Sequence, residues 1–539
     1  MATSDELRYG LDRLIATGKR IFGWGWVAHR ERRVADVHLR VRGNGWERRL
    51  QADFGLARPD VSEAFPELAH GGSCGFIVTG FLSGDAPREI ALQVEFDDGT
   101  HAELDLSHVV ERREERRHRW RQAAYVARAL WRRLKRGDFV GIVRRAKAQS
   151  YGAALLDDWN VADELGPALR RFPEVWMVFD HNMGGGANQY RRNLIDRLVE
   201  QGKAVLFVTY NLPVLEYRLH VHLPQEAERV FRISTFLALE PLFAELESVR
   251  LFVNSPVSFE EPLVLAEWIA RMRSQHAHSR LVVTTHDFFA VCPSFVLLDA
   301  KGRHCGIPSL ADCAACMREH EASYVALSPP AEIGAWRSSW GRCLAAADEV
   351  RCFSEASRKL LLKAFPALDG ERLTLVPHKI DFAPARLPRL DPAAPLVIGV
   401  VGEISPQKGA LVVAEMARII EAERREARIV VVGAIDAPSL PALKATGPYR
   451  HAELVDLIES NGINIFLFPS VWPETFSYVV AELMALHVPV VAFDLGAPAE
   501  RIRQYALGRL APEVSARAAL DTATAFHEER AKSHVARVA

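Results

Sequence analysis

The feature that most restricts the possible folds is a regular alternation of short apolar runs with helix-like segments after residue 172. The first set of runs lies at 175–179, 204–208, 250–253 and 281–284, and the second at 396–401, 429–432, 463–468 and 488–493. Alternating strands and helices form parallel sheets, because each helix carries the chain back to the start of the next strand. We therefore predict two doubly wound, Rossmann-like α/β domains, with ligands bound beyond the carboxyl ends of their strands.

The N-terminal part has a different pattern. Residues 21–106 form short alternating runs separated by the turn signals Gly43-Asn44-Gly45 and Asp97-Asp98-Gly99, which predicts a small β-sandwich over 1–110. Basic side chains then outnumber acidic ones between 111 and 147, with apolar residues at helical spacing, so a basic helical linker is predicted over 111–165. The two α/β domains would cover 166–385 and 386–539, divided in a proline-rich stretch.

Length and charge exclude several classes of protein. A chain of 539 residues is too long for one hydrophobic core, and 67 basic against 68 acidic residues leave no overall field that would attract nucleic acid. No secretory signal or apolar run of membrane-spanning length is seen, so we expect a cytoplasmic protein without a nucleic-acid partner. The basic linker has two open interpretations, a solvated connection or a peripheral contact with anionic lipid at the inner face of the membrane.

A first binding motif follows the run 396–401. It begins at Gly402, contains Lys408 and ends at Gly409, directly before a helical segment. A nucleotide diphosphate needs its charge neutralised, and a helix N-terminus with a lysine provides backbone donors and a cation. Because glycine turns after strands are common, an ordinary turn remains an equal alternative.

A second motif follows the run 463–468. Glu474 stands just ahead of a helical segment, and Glu482 lies about two turns inside it. The amides of Thr475 and Phe476 would face a phosphate, while the Glu474 carboxylate accepts hydrogen bonds from sugar hydroxyls. The deeper Glu482 suits two ribose hydroxyls, whereas the alternative for Glu474 is an acid that only complements the helix dipole.

Together with 489–494, these two motifs resemble the donor domain of the GT4-like glycosyltransferases, which have the GT-B fold, and the resemblance covers roughly 172–515. It implies a nucleotide-diphosphate sugar as donor substrate and retention of anomeric configuration. No carboxylate pair marks a metal-dependent donor site, so we expect no catalytic metal. Lys408 would hold the diphosphate, Glu474 the sugar and Glu482 the ribose. Tyr449 lies where that family holds the base, although an ordinary turn tyrosine fits equally. The chain departs from many relatives at Glu403, where they have an arginine.

The first α/β domain contains residues that we expect to face the acceptor substrate. Gly185 and Gly186 belong to a glycine run after 175–179, where missing side chains let backbone approach a ligand. His286 and Asp287 follow 281–284, and the resemblance aligns His286 with a histidine directed at the donor sugar. A helix cap is the alternative for His286, while Asp287 would either orient it or act as a base on the acceptor hydroxyl.

Four cysteines form a separate group, namely Cys292, Cys305, Cys313 and Cys316. Four thiolates that include one close pair can hold a structural zinc ion, which would order an irregular loop. Reduced, packed cysteines are the alternative.

The predicted function is transfer of a hexose or deoxyhexose to a glycan or lipid-linked acceptor in the biosynthesis of surface polysaccharide or lipopolysaccharide. Two alternatives remain open: a GT-B-like nucleotide-sugar epimerase or phosphorylase, and a non-catalytic scaffold that binds glycan.

Overall fold

The structure is a computed structural model. It describes residues 6–17, 20–56, 58–68, 70–81, 87–108, 127, 154–156, 161–212, 216–320, 333–380 and 382–538. The chain divides into two compact units, Met1–Ala127 and Arg128–Ala539. The predicted basic linker lies outside the described residues except at 127, 154–156 and 161–165. No helix in the described ranges is both long and apolar enough to span a membrane.

The first unit is an antiparallel β domain, as predicted. Its elements are β1 (Leu7–Thr17), β2 (Arg20–His29), β3 (Val34–Gly43), β4 (Trp46–Leu56), α1 (Pro59–Ala64), β5 (Gly75–Phe81), β6 (Glu89–Phe96) and β7 (His101–Asp105). The strands hydrogen-bond in the order β1-β2-β5-β4-β3-β6-β7. Val37, Leu39 and Val41 are fully buried between more exposed neighbours, the period of two that makes β3 a strand with one inward face.

The β4 strand connects the two halves of this sheet. Its first part pairs with β3 and its second part with β5. One core receives side chains from both halves, for example Leu14 of β1 and Val94 of β6. Trp24 is 3% exposed, so it belongs to the interior rather than to a sugar-binding surface.

The second unit contains two sheets, and the first has nine strands. They are β8 (Ala154–Leu155), β9 (Val175–Asp180), β10 (Ala204–Asn211), β11 (Glu216–His222), β12 (Arg229–Ile233), β13 (Val249–Ser255), β14 (Ser279–Thr284), β15 (Glu349–Cys352) and β16 (Leu373–Leu375). In the part of this region that the structure describes, seven helices accompany them: α2 (Val161–Leu169), α3 (Gly186–Glu200), α4 (Leu242–Glu245), α5 (Pro262–Gln275), α6 (Leu310–Glu319), α7 (Ile333–Ala346) and α8 (Glu355–Ala364). The strand order is β16-β15-β14-β13-β9-β10-β11-β12-β8, so all four predicted strands are present.

The edge of this sheet differs from the predicted alternation. The chain returns from β10 as the antiparallel strand β11 instead of entering a helix, and β12 is antiparallel to β11. The reason is local. Tyr217, Leu219 and Val221 are buried and alternate with polar residues, so this segment has the period of a strand and not of a helix.

The second sheet of this unit is entirely parallel. Its elements are β17 (Leu396–Ile404), α9 (Ala410–Ala422), β18 (Ala427–Ile435), β19 (Leu443–Ala445), α10 (Leu454–Ser460), β20 (Ile465–Phe468), α11 (Tyr478–Ala485), β21 (Val490–Phe493), α12 (Gly496–Arg503), β22 (Gly508–Ala511) and α13 (Ala516–Val538). The order β19-β18-β17-β20-β21-β22 runs outward in both directions from β17 and β20. In a doubly wound sheet, ligands bind in a crevice at the carboxyl ends of the strands where the order reverses, which here are β17 and β20.

Candidate functional site

The loops that follow β17 and β20 meet at this crevice. The Val471 amide donates a hydrogen bond to the Gln407 carbonyl at 3.2 Å. Gly409 has φ 88°, and a Cβ added there would lie 2.0 Å from the Pro469 carbonyl oxygen. Only glycine fits a left-handed backbone in such close contact, so the sequence at Gly409 allows the Lys408 loop to lie against the Glu474 loop.

Glu474 is the buried acid of the crevice. It is 8% exposed, and its Oε1 atom has no hydrogen-bond partner in the described part of the chain. Burial raises the pKa of Glu474 to about 7, against the opposing effects of the Lys408 charge and of hydrogen bonds from Ser470 and Trp472. A buried carboxyl oxygen without a partner is costly, so this atom is suited to accept a hydrogen bond from a ligand.

Glu482 of α11 belongs to a second cluster, with His451 and Tyr449. It is 6% exposed, and its Oε1 lies 3.2 Å from His451 Nε2. Burial, and then the Glu482 charge, raise the pKa of Tyr449 to about 12. The structure thus brings the predicted Glu482 and Tyr449 together, and adds His451. That histidine was not predicted, although it stands two residues after Tyr449 in the same loop.

On the other sheet, the glycine run after β9 approaches α11. Gly184 and Gly185 have φ near 90°, and nothing lies within 4 Å of a Cβ added to either. A Cβ added to Gly186 would lie 2.9 Å from the Tyr478 ring. The three glycines therefore have two roles: the first two leave open space above the loop, and Gly186 permits contact with the first residue of α11.

Asp180 and His181 shape this loop from below. The Asn188 amide donates to Asp180 Oδ2 at 2.9 Å and to the His181 carbonyl at 2.7 Å, and Arg191 Nε lies 3.5 Å from Asp180 Oδ2. Burial raises the pKa of Asp180 to about 7 and lowers the pKa of His181 to about 3, where Arg191 also acts. These groups hold the turn in place.

His286 lies where the two sheets of the second unit meet. The Thr475 hydroxyl donates to the His286 carbonyl at 2.9 Å. Its ring stacks on Phe353 at 4.4 Å and contacts Tyr190 edge-on at 4.9 Å. The Nε2 atom is buried and has no hydrogen-bond partner among described residues. Burial is the largest cause of a His286 pKa well below its ordinary value, and the Arg351 charge also lowers it, so the imidazole is neutral.

Both carboxylate oxygens of Asp287 accept hydrogen bonds from nearby residues. Its Oδ2 accepts a hydrogen bond from the Ser255 hydroxyl, and its Oδ1 accepts one from the Phe289 amide at 2.8 Å. Burial raises the pKa of Asp287 to about 6. Both oxygens therefore hold the loop that carries His286.

His378 is a residue of this region that the sequence did not indicate. It is 8% exposed, its Nδ1 lies 2.7 Å from the Tyr478 hydroxyl, and its ring stacks on Phe476 at 4.5 Å and contacts Phe353 edge-on. Burial lowers the pKa of His378 to about 3. His378 follows β16 in a segment without a recognisable motif. Phe476, predicted at the donor site, is covered on its other side by Arg501 at 5.0 Å.

A further link between the two sheets is made by Glu500 of α12. Its carboxylate accepts hydrogen bonds from the amides of Glu355, at 3.3 Å, and Ala356, at the start of α8. An anion at a helix N-terminus satisfies free amides and the helix dipole together.

The four cysteines lie near one another. Burial raises the pKa of Cys292 to about 12, and charges on Cys305 and Cys313 would raise it further. Arg337 Nη2 donates to the Cys313 sulfur at 3.4 Å. No three of these sulfurs lie within 4.8 Å of one another. The thiols therefore gather without forming a tetrahedral set, and structural zinc stays a prediction.

Residues 395–527 match the family model described as glycosyl transferases group 1, so this region is a glycosyl transferases group 1 domain. It contains Gly402, Lys408, Tyr449, Glu474 and Glu482. No curated protein matches the sequence.

The chain is similar to several solved structures of glycosyltransferases. HepE of Anabaena in complex with UDP-glucose is 16% identical, with 66% of this chain and 90% of that chain covered and a TM-score of 0.40. A glycosyltransferase from Rickettsia africae is 11% identical, with 68% and 93% covered and a TM-score of 0.38. The lipopolysaccharide outer core galactosyltransferase WaaB is 10% identical, with 61% and 83% covered and a TM-score of 0.35. With similarity this low, no property of these proteins is transferred to this chain.

Proposed function

We propose that this chain is a retaining glycosyltransferase that moves a hexose or deoxyhexose from a nucleotide-diphosphate sugar to a glycan or lipid-linked acceptor. One observation carries the proposal. Within the glycosyl transferases group 1 domain, the buried Glu474 carboxyl has an unpaired oxygen beside Lys408, at the crevice between β17 and β20 and next to the His286 loop.

The leaving diphosphate would be stabilised by positive charge and backbone donors. Lys408 is exposed and therefore accessible to a ligand. The amides of Thr475–Ser477 directly precede α11, which Ser477 caps by accepting from the Val480 amide, so they lie where a helix N-terminus favours an anion. Donors fixed in place before reaction stabilise developing charge without reorganisation. Lys408 and the segment Thr475–Ser477 would thus lower the barrier to departure of the nucleoside diphosphate.

The sugar would lie between Glu474 and His286. The unpaired Glu474 Oε1 accepts from a sugar hydroxyl, and the neutral His286 ring offers a nitrogen without a partner. Glu482 and Tyr449 would bind the nucleoside, with Glu482 accepting from the ribose hydroxyls. Because His451 Nε2 lies 3.2 Å from Glu482 Oε1, ribose would bind beside His451.

The acceptor would enter over the open glycines Gly184 and Gly185. In a retaining reaction of this kind, the leaving diphosphate can accept the proton of the attacking hydroxyl, so no protein base is required. Asp287 keeps a positioning role, because its oxygens accept hydrogen bonds from Ser255, at the end of β13, and from the Phe289 amide of its own loop. We also propose that catalysis needs no divalent metal, so activity should persist in chelator.

The test uses UDP-, GDP- and dTDP-sugars in turn. One donor should raise the unfolding temperature by binding the folded state, and acceptor should then cause release of its nucleoside diphosphate. Glu474→Ala and Lys408→Ala should each lower this release by about a hundredfold or more. Glu415→Ala, which removes an exposed acid of α9, is the matched control and should leave it unchanged.

Three results would contradict the proposal. Donor turnover independent of any acceptor would favour the epimerase alternative. Full activity in Glu474→Ala would exclude the assigned site. Failure of every donor to bind, with glycan still bound, would favour the scaffold alternative. Glu403, near the end of β17, gives that alternative some support because many members of the resembling family have an arginine there.

A further inference from the structure

A second group of polar side chains lies far from the crevice, on the antiparallel edge of the nine-stranded sheet. His220 and His222 belong to β11, and Glu228 directly precedes β12. His222 pairs with Val205 at the start of β10, whereas the catalytic loops leave the opposite, carboxyl ends of the parallel strands. The group therefore lies toward the amino end of β10, and Arg191 of α3 stands between it and Asp180 at the end of β9.

Three potential ligand atoms converge in this group. Glu228 Oε1 lies 2.6 Å from His220 Nδ1 and 3.5 Å from His222 Nε2, and the three atoms lie within 4.8 Å of one another. No other set of three or more His, Cys, Asp or Glu in the described ranges meets that limit. The two imidazole rings are nearly parallel, with an interplanar angle of 9°.

The backbone explains this convergence. Residues two apart on a strand point to the same face, so His220 and His222 project side by side. The turn between β11 and β12 then brings Glu228 back to that face. For metal–ligand bonds of 2.0–2.2 Å in a tetrahedral site, neighbouring donor atoms are about 3.3 Å apart. The observed separations bracket that value, so small side-chain rotations would be enough.

We propose that His220, His222 and Glu228 bind a divalent transition metal ion of the Zn²⁺ type, with water as the fourth ligand. Two imidazoles and a carboxylate are ligands that Zn²⁺ takes in proteins, while Mg²⁺ and Ca²⁺ prefer oxygen alone. The ion would fasten the end of β11 to the turn before β12. Its role is structural, because none of its three protein ligands belongs to the loops that form the proposed donor site.

Neighbouring charges are compatible with a cation. Arg191 and Asp196 of α3 both act electrostatically on His222, with opposite signs. The Arg191 guanidinium lies 3.9 Å from the centre of the Phe207 ring, and its charge is paired with Asp180. The repulsion by Arg191 is therefore offset, and the Glu228 and Asp196 carboxylates leave the surface attractive to a metal.

The experiment titrates ZnCl₂ into the chelator-treated full chain by calorimetry. Because the four-cysteine group is a second candidate for zinc, the parent protein carries Cys305→Ser and Cys316→Ser. His222→Gln and Glu228→Gln are tested in that background, and His101→Gln, which removes an exposed imidazole of the other unit, is the control.

We expect the titration to show zinc binding at one site in the parent protein and in His101→Gln. His222→Gln and Glu228→Gln should each weaken zinc affinity at least about tenfold. Loss of a residue that only hydrogen-bonds to a metal ligand already costs about that much, and these residues are the proposed ligands themselves. Each variant should unfold at the parent's temperature in EDTA, which separates loss of the site from loss of the fold. Unchanged binding in both variants, or no zinc event in the parent, would overturn the proposal.

Discussion

Individual buried acids are the main electrostatic feature of the candidate site. Burial raises the pKa of Glu474 and Asp180 to about 7 and that of Asp287 to about 6, from ordinary values near 4. Keeping a carboxylate away from water destabilises the folded state wherever the group is ionised. Proteins keep such destabilising buried carboxylates where a ligand or a loop needs their charge. These three acids lie near the carboxyl ends of the two sheets, where ligands bind.

Glu474→Gln tests this cost directly. The carboxyl has a raised pKa when folded, so the folded state holds its proton more tightly and stability falls as pH rises from about 4.5 to about 7. The neutral amide escapes that loss. The variant should therefore unfold at a higher temperature than wild type at pH 8, with little difference at pH 4.5, while transferase activity is lost.

Thermal unfolding followed at several pH values measures this difference. Glu415→Gln, an exposed substitution, is the control and should show no pH-dependent gain. A variant less stable than wild type at pH 8 would show that the Glu474 carboxylate is held by favourable interactions instead.

At the scale of elements, the site depends on loops that only glycine can complete. Gly409 combines a left-handed backbone with the contact to the Pro469 carbonyl, and this brings the loops after β17 and β20 together. The central strands themselves are conventional, since fully buried apolar residues such as Val400 and Val431 make long hydrophobic runs.

Gly409→Ala should therefore destabilise the protein more than backbone strain alone explains. A left-handed alanine costs about 1–2 kcal/mol, and the added methyl group must also displace Pro469. Gly202→Ala is the matched control, since Gly202 has φ 77° with nothing within 4 Å of its added Cβ. Urea midpoints of the two variants measure the difference, and equal midpoints would contradict the close contact.

At the scale of the second unit, its two sheets are held together by a few specific contacts. They are the Thr475 hydrogen bond to the His286 carbonyl, the His378 contact with Tyr478, and the Glu500 carboxylate at the start of α8. Each joins residues far apart in the chain, and each borders the proposed donor site. Contacts of this kind can couple the arrangement of the two sheets to donor binding.

Glu500→Ala should loosen this arrangement without unfolding either sheet. The amides of Glu355 and Ala356 would lose their acceptor, so hydrogen–deuterium exchange should accelerate at the start of α8. Glu415→Ala is again the control. Exchange at α8 that matches wild type would mean that the Glu500 contact does not hold the two sheets together in solution.

Much of the fold was predictable because buried parallel strands make long apolar runs between helical segments. The β11–β12 hairpin was missed because its strands are short and alternate apolar with polar residues, instead of forming the continuous apolar runs of the buried parallel strands. Within the site, Lys408, Glu474, Glu482 and Tyr449 were indicated by motifs adjacent to strands. His378, His451 and Glu500 carry no motif, and their roles arise from partners distant in sequence.

By itself, the sequence determined the main alternation of parallel strands with helices and which residue types stand at the carboxyl ends of those strands, because both depend on local periodicity and turn chemistry. Only the tertiary structure decided that Glu474 is buried with an unpaired oxygen and that Asp287 accepts a hydrogen bond from Ser255 at the end of β13. The physical reason is that desolvation and hydrogen-bond pairing are set by groups from separate loops and sheets. No stretch of neighbouring residues contains that information.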